Sequence, residues 1–352
     1  MPISPTIADI KALIHSQSRR VTSYDVATLA GVSQSAVSRC FKPGASVSKT
    51  TFARVMQAAQ ALDYTPNAAA RSLMTRRSNQ VALIISELVT LYYPEVLSEM
   101  SRQFGLHGMR ILLFSLPREG DLDQILAEVW QHQVDGAVVA ARLSTRQVAE
   151  FERRSLPFVL FNRNLPDSSV NAVVCDQIDA ARTMVSRLAA GGHKRLAMIE
   201  GPHDSPIAQD RTRGVAGRLA DLGLRAPLIV SGGYDYDSGA RGLREIVSRM
   251  GGVPDAIICG NDIMAIGCID AARHDMKLSL PRDLSVTGFD GAGPASWLSY
   301  NLTTLRQPMQ VMTAAVSDML VNLIRNKPAC PERRVFSASV VEGMTARLGP
   351  AF

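Results

Sequence analysis

Long apolar runs are missing from this 352-residue sequence: none approaches the roughly 18 to 20 residues that a membrane-spanning helix needs. The opening stretch "MPISPTIADIKALIHSQSRR" has neither an unbroken apolar segment nor a small-residue cleavage site, so no secretory signal or membrane partner is expected and the cytoplasm is the expected compartment. Cysteine is scarce. The five present (Cys40, Cys175, Cys259, Cys268 and Cys330) are odd in number, scattered and never in C-x-x-C spacing, which argues against a disulfide framework and against a structural zinc. The motifs G-x-x-x-x-G-K-[ST], G-x-G-x-x-G after a strand, G-x-S-x-G and H-E-x-x-H do not occur. The histidines are dispersed, and His193 in "AGGHKRLAMI" reads as part of a solvated helix-to-strand turn. No catalytic residue, metal site or cofactor is expected.

Acidic residues are nearly absent from the first fifth of the chain. Residues 1–78 hold ten lysines and arginines against Asp9, Asp25 and Asp63, a net charge of +7, whereas the remainder has 28 basic and 29 acidic side chains and nets −1. A basic segment on a neutral body is the electrostatic footprint of a nucleic-acid partner, unless it is a solvated tail without hydrophobic periodicity. Periodicity is present here. In "TSYDVATLAGVSQSAVSRCF", Val26, Leu29 and Ala30 share one helical face, Gly31 and Val32 break it, and Ser33 caps a second helix with Ala36, Val37 and Cys40 inward. Two short helices around a glycine turn make a helix-turn-helix. After Pro43-Gly44, Ser48 caps a third helix whose Phe52, Val55, Met56, Ala59 and Leu62 could close a small core. The second helix of such a unit presents its first side chains to base edges, here Gln34, Ser35 and Arg39, which suit adenine, either purine pair and guanine respectively.

The segment "PNAAARSLMTRRS", residues 66–78, is rich in helix formers yet too short to be stable alone, since an isolated helix needs roughly 12 to 15 residues even to be marginal. Something outside the segment must order it, and Arg71, Arg76 and Arg77 would then lie near phosphates.

At "VTSYDVATLAGVSQSAVSR" and "VSKTTFARVMQAAQALDYTPNAAARSL" the sequence resembles the headpiece of the LacI/GalR (lactose/galactose repressor) family of bacterial transcription regulators, and the likeness runs on from residue 21 through the rest of the chain. The resemblance carries over Gln34, Ser35 and Arg39 as base readers, and Ser23, Tyr24, Ser33, Ser48 and Asn67 as contacts to the DNA backbone or groove edge. It implies a hinge helix after Tyr64 that forms on the operator, with Leu73 wedged into a central minor-groove step. Apolar wedges of this kind kink the duplex. Residues 1–20 precede the usual family start and receive no role, although "IADIKALIHS" reads as a short amphipathic helix.

From residue 80 onward, apolar runs alternate with helical stretches: "VALII", "MRILLFS", "VDGAVVA" and "FVLFN", then "AVVCD", "RLAMIEG", "PLIVSG", "DAIICG" and "LSVTGF". This implies parallel sheets covered on both faces, in two successive sets. The expected fold class is an N-terminal all-α helix-turn-helix headpiece with hinge helix, followed by an α/β core. By resemblance that core is two-lobed, periplasmic-binding-protein-like and built on doubly wound parallel sheets. The expected segments are an extension at 1–20, the helix-turn-helix at 21–65 and the hinge at 66–78. The first lobe takes 79–172 with 303–335, and the second 173–302 with 336–352.

Ligands of open parallel sheets bind beyond the carboxyl ends of the strands. Polar residues there are Asn162, Arg163, Asn261, Asp262 and Asp290. The resemblance adds Arg211, Tyr234, Tyr92 and Tyr93. Carboxylates and amides pair with vicinal hydroxyls, arginine clamps an anion, and aromatic rings cover a sugar face, so a small polar effector, a sugar or sugar acid, is expected. Structural roles compete: Asp290 and Asn261 as loop caps, Asp262 as a helix cap, the tyrosines as core. The functional expectation is a homodimeric, sequence-specific transcription regulator acting as a repressor on a pseudo-palindromic double-stranded operator. The alternative is a solute-binding protein or sugar-processing enzyme on the same two-lobed body.

Overall fold

The computed structural model describes residues 6–42, 45–66, 77–86, 92–116, 122–163, 165, 169–325 and 330–350. The chain divides into two compact units, Met1–Ser78 and Asn79–Phe352.

The small unit holds helices α1 (Ile7–Ser16), α2 (Ser23–Ala30), α3 (Gln34–Cys40) and α4 (Lys49–Ala61). Each begins at a side-chain cap: Thr6 and Thr22 in capping boxes with Asp9 and Asp25, then Ser33 and Ser48. Gly31 ends α2 at φ +60°, the left-handed conformation that glycine adopts without a Cβ penalty, and this gives the tight turn between α2 and α3. The core is Val26, Ala27, Ala30, Val37, Val55, Ala58, Ala59 and Leu62, joined by Ile10 of α1.

Two expectations change here. The described part of the expected extension, residues 6–20, is not separate from the headpiece, because Ile10 is buried in its core and Arg19 grips Asp25 through two bonds of 2.7 and 2.8 Å. Phe52 and Met56 are not core: they stay 46% and 38% exposed, since so small a bundle covers only the part of the α4 stripe that runs through Val55, Ala59 and Leu62. Asn67, Arg71 and Leu73, with most of the expected hinge helix, lie outside the described residues.

The Arg19–Asp25 pair has a pH signature. Asp25 is held down to about 2 from 3.8, first by the bonds from Arg19 and, against the cost of burial, by those from Thr22. A depressed carboxyl stabilises the fold above its ordinary value, and that contribution is lost as the pH falls through about 4 toward 2. The pair should supply about 1–2 kcal/mol, discounted because Arg19 is partly solvated. Asp25→Asn should therefore make the headpiece of the intact chain more susceptible to limited proteolysis at pH 7. The difference from the wild type should vanish near pH 2; a difference that persists there would refute the assignment.

The large unit contains two six-stranded sheets. The first comprises β1 (Gln80–Ser86), β2 (Arg110–Leu116), β3 (Gly136–Ala140), β4 (Phe158–Phe161), β5 (Ala172–Cys175) and β11 (Arg333–Phe336), in the order β11-β5-β4-β3-β1-β2. The second comprises β6 (Leu196–Glu200), β7 (Leu228–Ser231), β8 (Ala256–Cys259), β9 (Ser285–Asp290), β10 (Thr303–Arg306) and β12 (Ser339–Val341), in the order β12-β10-β9-β8-β6-β7. Pairing is parallel throughout except for β12 against β10. The strands at the centre of each sheet are apolar on both faces, as parallel strands under helices on both sides must be.

Helices α5 (Tyr92–Leu106), α6 (Leu122–Gln131), α7 (Thr145–Arg153) and α12 (Met309–Arg325) belong to the first lobe. Helices α8 (Gln177–Ala190), α9 (Pro206–Asp221), α10 (Tyr236–Met250) and α11 (Asp262–Asp270) belong to the second. Sheet membership moves the expected crossings. "AVVC" adds to the first sheet beside β4, so the chain leaves that lobe after Cys175 and not near 172. β10 lies in the second sheet, so the return follows Arg306 and not 302, and the last crossing separates Phe336 from Ser339. Nothing local distinguishes "AVVCD" from its neighbours; long-range pairing decides where it goes. No helix among the described residues is long and apolar enough to cross a membrane.

His193 is buried, contrary to the solvated turn expected for it. Its Nδ1 lies 2.8 Å from Leu188 O and its Nε2 2.8 Å from Ser285 Oγ, which also accepts from the Arg347 N–H. Burial pushes its ionisation below 6.5. It is a neutral tie between the start of β6 and the start of β9.

Candidate functional site

On the headpiece, Ser33 Oγ accepts from Ala36 N at 3.2 Å and so fixes the start of α3. Gln34 is half-buried and its Nε2 donates to Ser23 Oγ at 3.1 Å, which braces the first side chain of α3 against the start of α2. Ser35 and Arg39 are exposed on the same helix, and Tyr24 is 69% exposed nearby in sequence on α2. Ser48 Oγ is engaged in capping α4, accepting from Thr51 N at 3.2 Å. The surface therefore offers one braced amide, one hydroxyl, one guanidinium and one phenol around the start of α2 and along α3.

In the large unit, one cleft is lined by Tyr92, Tyr93, Asn162, Arg163, Arg211, Tyr234, Asn261 and Asp290, eight of the nine residues singled out in the sequence, Asp262 being the exception. It holds about 770 Å³ of space outside protein atoms, part of it open to solvent. Its walls come from strand ends and helix starts. Asn162 and Arg163 follow β4, Asn261 follows β8, Asp290 ends β9, and the two tyrosines open α5.

Arg211 lies at the centre of the second-lobe wall, 4% exposed. Its Nε donates to Gln177 Oε1 at 2.9 Å, Nη2 to Asp290 Oδ1 at 2.9 Å and Nη1 to the carbonyl of Gly260. Its guanidinium carbon sits 3.5 Å from the centre of the Phe289 ring, a stacked cation contact. Burial raises the Asp290 carboxyl, opposed by the charge and bond of Arg211 and the bond from Gln307. Both of those bonds fall on Oδ1, so Oδ2 remains an acceptor.

Three of the cleft residues hold left-handed backbone without being glycine: Asn162 at φ +50°, Tyr234 at φ +59° and Asp290 at φ +108°. Such conformations cost of order 1–3 kcal/mol and persist where the surroundings impose them, commonly at ligand sites. The Tyr234 ring packs on Gly201, where a Cβ would overlap it, and its hydroxyl, beside Ser205, has no partner of hydrogen-bonding geometry among the described residues.

Asn261 serves as the cap of α11, accepting from Met264 N at 3.1 Å, and its Nδ2 donates to Tyr234 O at 3.3 Å. Capping and a place in the cleft wall thus coexist in one residue. Asp262 does not cap; its buried carboxylate accepts from Thr304 Oγ1 at 2.5 Å and Ala292 N at 2.7 Å, tethering the loop that follows Asp290. Tyr92 and Tyr93 meet edge-on at 5.8 Å, and Arg163 reaches Tyr93 OH at 3.5 Å.

Sequence reasoning missed Arg142, Asp204, Ser205, Ile207 and Gln307, which also line the cleft. Arg142 stands two residues past β3 and could have been found by the strand-end rule; Ser205-Pro206 carries a helix-start signature. Gln307 gave no local signal, because the short strand before it was not read as one.

Comparison with known proteins places these features. Residues 22–67 match "Bacterial regulatory proteins, lacI family" and residues 185–346 match a periplasmic binding protein-like domain. The chain is 30% identical to catabolite control protein A of Priestia megaterium over 87% of its own length and 93% of that protein's. It is 28% identical to the ribose operon repressor of Escherichia coli K12, over 89% and 96%. Among solved structures, a complex of the transcriptional regulator CelR with cellobiose superposes with a TM-score of 0.70 at 26% identity, covering 93% of this chain and 100% of that one. The lac repressor dimer bound to operator and the anti-inducer ONPF gives 0.84 at 24% identity, covering 93% and 99%, a likeness of fold.

Proposed function

Because the chain belongs to the lacI family of bacterial regulatory proteins, we propose that it is a homodimeric, sequence-specific transcription regulator, a repressor, whose grip on DNA is set by a sugar or sugar acid in the cleft. The observation that carries this is the convergence of Arg211, Asp290, Asn261, Asn162, Arg163 and the three tyrosines on one cavity, in a chain that also bears a capped, basic helix-turn-helix.

In this reading Gln34, Ser35 and Arg39 read base edges, and Ser23, Tyr24, Ser33, Ser48, Asn67 and Arg71 meet the DNA backbone or the groove edge. Leu73 enters the minor groove of a pseudo-palindromic operator. The effector's hydroxyls pair with Asp290, Asn261 and Asn162, Arg211 and Arg163 meet its oxygens, and Tyr92, Tyr93 and Tyr234 cover its apolar face. Occupancy changes the angle between lobes and thereby operator affinity, a coupling of about 1–3 kcal/mol. Relatives named as a transcriptional regulator and an operon repressor support a regulator and not an enzyme; in this reading it acts in the cytoplasm. The competing reading, a solute-binding protein with an incidental N-terminal appendage, fits poorly with a headpiece that has its own capped helices and packed core.

The test is selection of a randomised duplex library on the full-length chain, followed by affinity measurements at several salt concentrations. A specific regulator should prefer the recovered duplex over random sequence by 10³-fold or more, as an order of magnitude, with affinity for both falling as salt rises. Equal affinity for both would overturn the reading.

A further inference from the structure

Asn162, Gln307 and Asp290 form one hydrogen-bonded line between the lobes, and its direction is fixed from both ends. At the first-lobe end the backbone N–H of Cys175 donates to Asn162 Oδ1 at 2.9 Å. Asn162 Nδ2 is therefore the donating side, and it meets Gln307 Oε1 at 2.7 Å. At the second-lobe end Gln307 Nε2 donates to Asp290 Oδ1 at 2.9 Å, the same oxygen that accepts from Arg211. A backbone N–H can only donate and an ionised carboxylate can only accept, so neither amide can be reversed without setting like groups face to face.

Gln307 is 3% exposed, and little water competes for these bonds. It also lies between β10, which pairs in the second sheet, and α12, which packs on the first, so its side chain braces the segment by which the chain crosses between lobes.

We propose that Gln307 is a positioning residue that couples occupancy of the cleft to the angle between the lobes. An effector bonded to Asp290 Oδ2 and to the first-lobe wall holds the lobes at the one separation that Gln307 spans with both bonds made. A wider or narrower cleft breaks one of them and strands a buried amide group, which is unfavourable. Gln307 thus favours one discrete separation of the lobes where a merely apolar contact would allow a continuum. This rests on the effector reading above.

The test uses the full-length chain, the duplex recovered by selection, and whichever member of a panel of aldoses and aldonic acids raises the melting temperature of the wild type. In the wild type that sugar should change duplex affinity by roughly 5- to 150-fold. In Gln307→Leu, with the sugar raised until binding saturates, its effect on duplex affinity should fall below about twofold, a small part of an ordinary coupling. Gln307→Glu sets a second carboxylate against Asp290, and two buried carboxylates so close share one proton. Its response should therefore be absent at pH 8 and return as the pH is lowered, while the response of the leucine variant stays absent.

A purely structural role would lower the melting temperature of both variants and leave the fold-change in duplex affinity intact; that outcome overturns the proposal. Should the leucine variant fail to fold, the pH profile of the glutamate variant decides alone, a pH-independent response counting against coupling. Failure of every sugar to bind the wild type removes the effector reading and this proposal together, whereas a retained response in the variants removes only this one.

Discussion

A chain carrying Arg211→Ala should no longer be stabilised or switched by the sugar that acts on the wild type, while its affinity for the recovered duplex stays the same. In the wild type, ligand at a hundred times its dissociation constant adds about 2.7 kcal/mol of stability. For a core of this size that corresponds to a rise of roughly 5–10 °C in melting temperature, and the variant should show none. The size of the effect follows from how much Arg211 holds: Gln177, Gly260 and Asp290 all accept from it, and Phe289 lies under it.

Removing one member of a buried ion pair costs about 3–5 kcal/mol when the other charge has no escape. Asp290 has one, because burial already pushes its carboxyl upward and without Arg211 it can take up a proton. The variant should therefore fold, with its melting temperature lowered most at high pH. A sugar-dependent shift that survives in Arg211→Ala would take this residue out of the site.

On the headpiece, Arg39→Ala should weaken binding to the recovered duplex by about 1–3 kcal/mol, roughly 5- to 150-fold, and relax selection at a guanine position. Binding to random duplex should change far less, since there the lost charge counts as one phosphate contact among several. Leu73→Ala should show the same asymmetry for a different reason: a wedge that kinks the duplex contributes only where the site can be kinked. Equal losses on specific and random duplex, in either variant, would mean that the side chain contributes general affinity and reads nothing. Gln34→Ala has a distinguishable outcome, because Gln34 also bonds Ser23 and its loss should loosen the α2–α3 turn as well as the reading of a base.

Much of this was legible in the residues themselves. The caps Ser33 and Ser48 and the glycine turn announced the headpiece, because capping and left-handed turns are local chemistry. Nine apolar runs marked nine of the strands, and the polar residues just beyond them marked the cleft, because in parallel sheets that is where side chains of different strands converge. What escaped was non-local. The strands β10, β11 and β12 are short and half-polar, and only pairing with partners far along the chain makes them strands. Without β10, Gln307 had no strand end to follow.

His193 escaped for a related reason. The turn "AGGHK" looks solvated until Ser285, ninety-two positions later, arrives beside its ring. The exposed Phe52 and Met56 erred in the other direction, since periodicity reports which side a helix could bury and not how much partner surface exists to cover it.

The docking of the leading helix through Ile10 and Arg19 has a practical corollary for anyone assembling hybrid regulators by grafting recognition modules onto foreign sensory bodies. A graft cut at Val21, where the likeness to the family begins, would leave Asp25 without its guanidinium and bare the apolar patch under Ile10. A donor fragment that starts no later than Thr6 carries both clasps with it, and transplants of the two lengths should differ in soluble yield before any question of promoter choice arises.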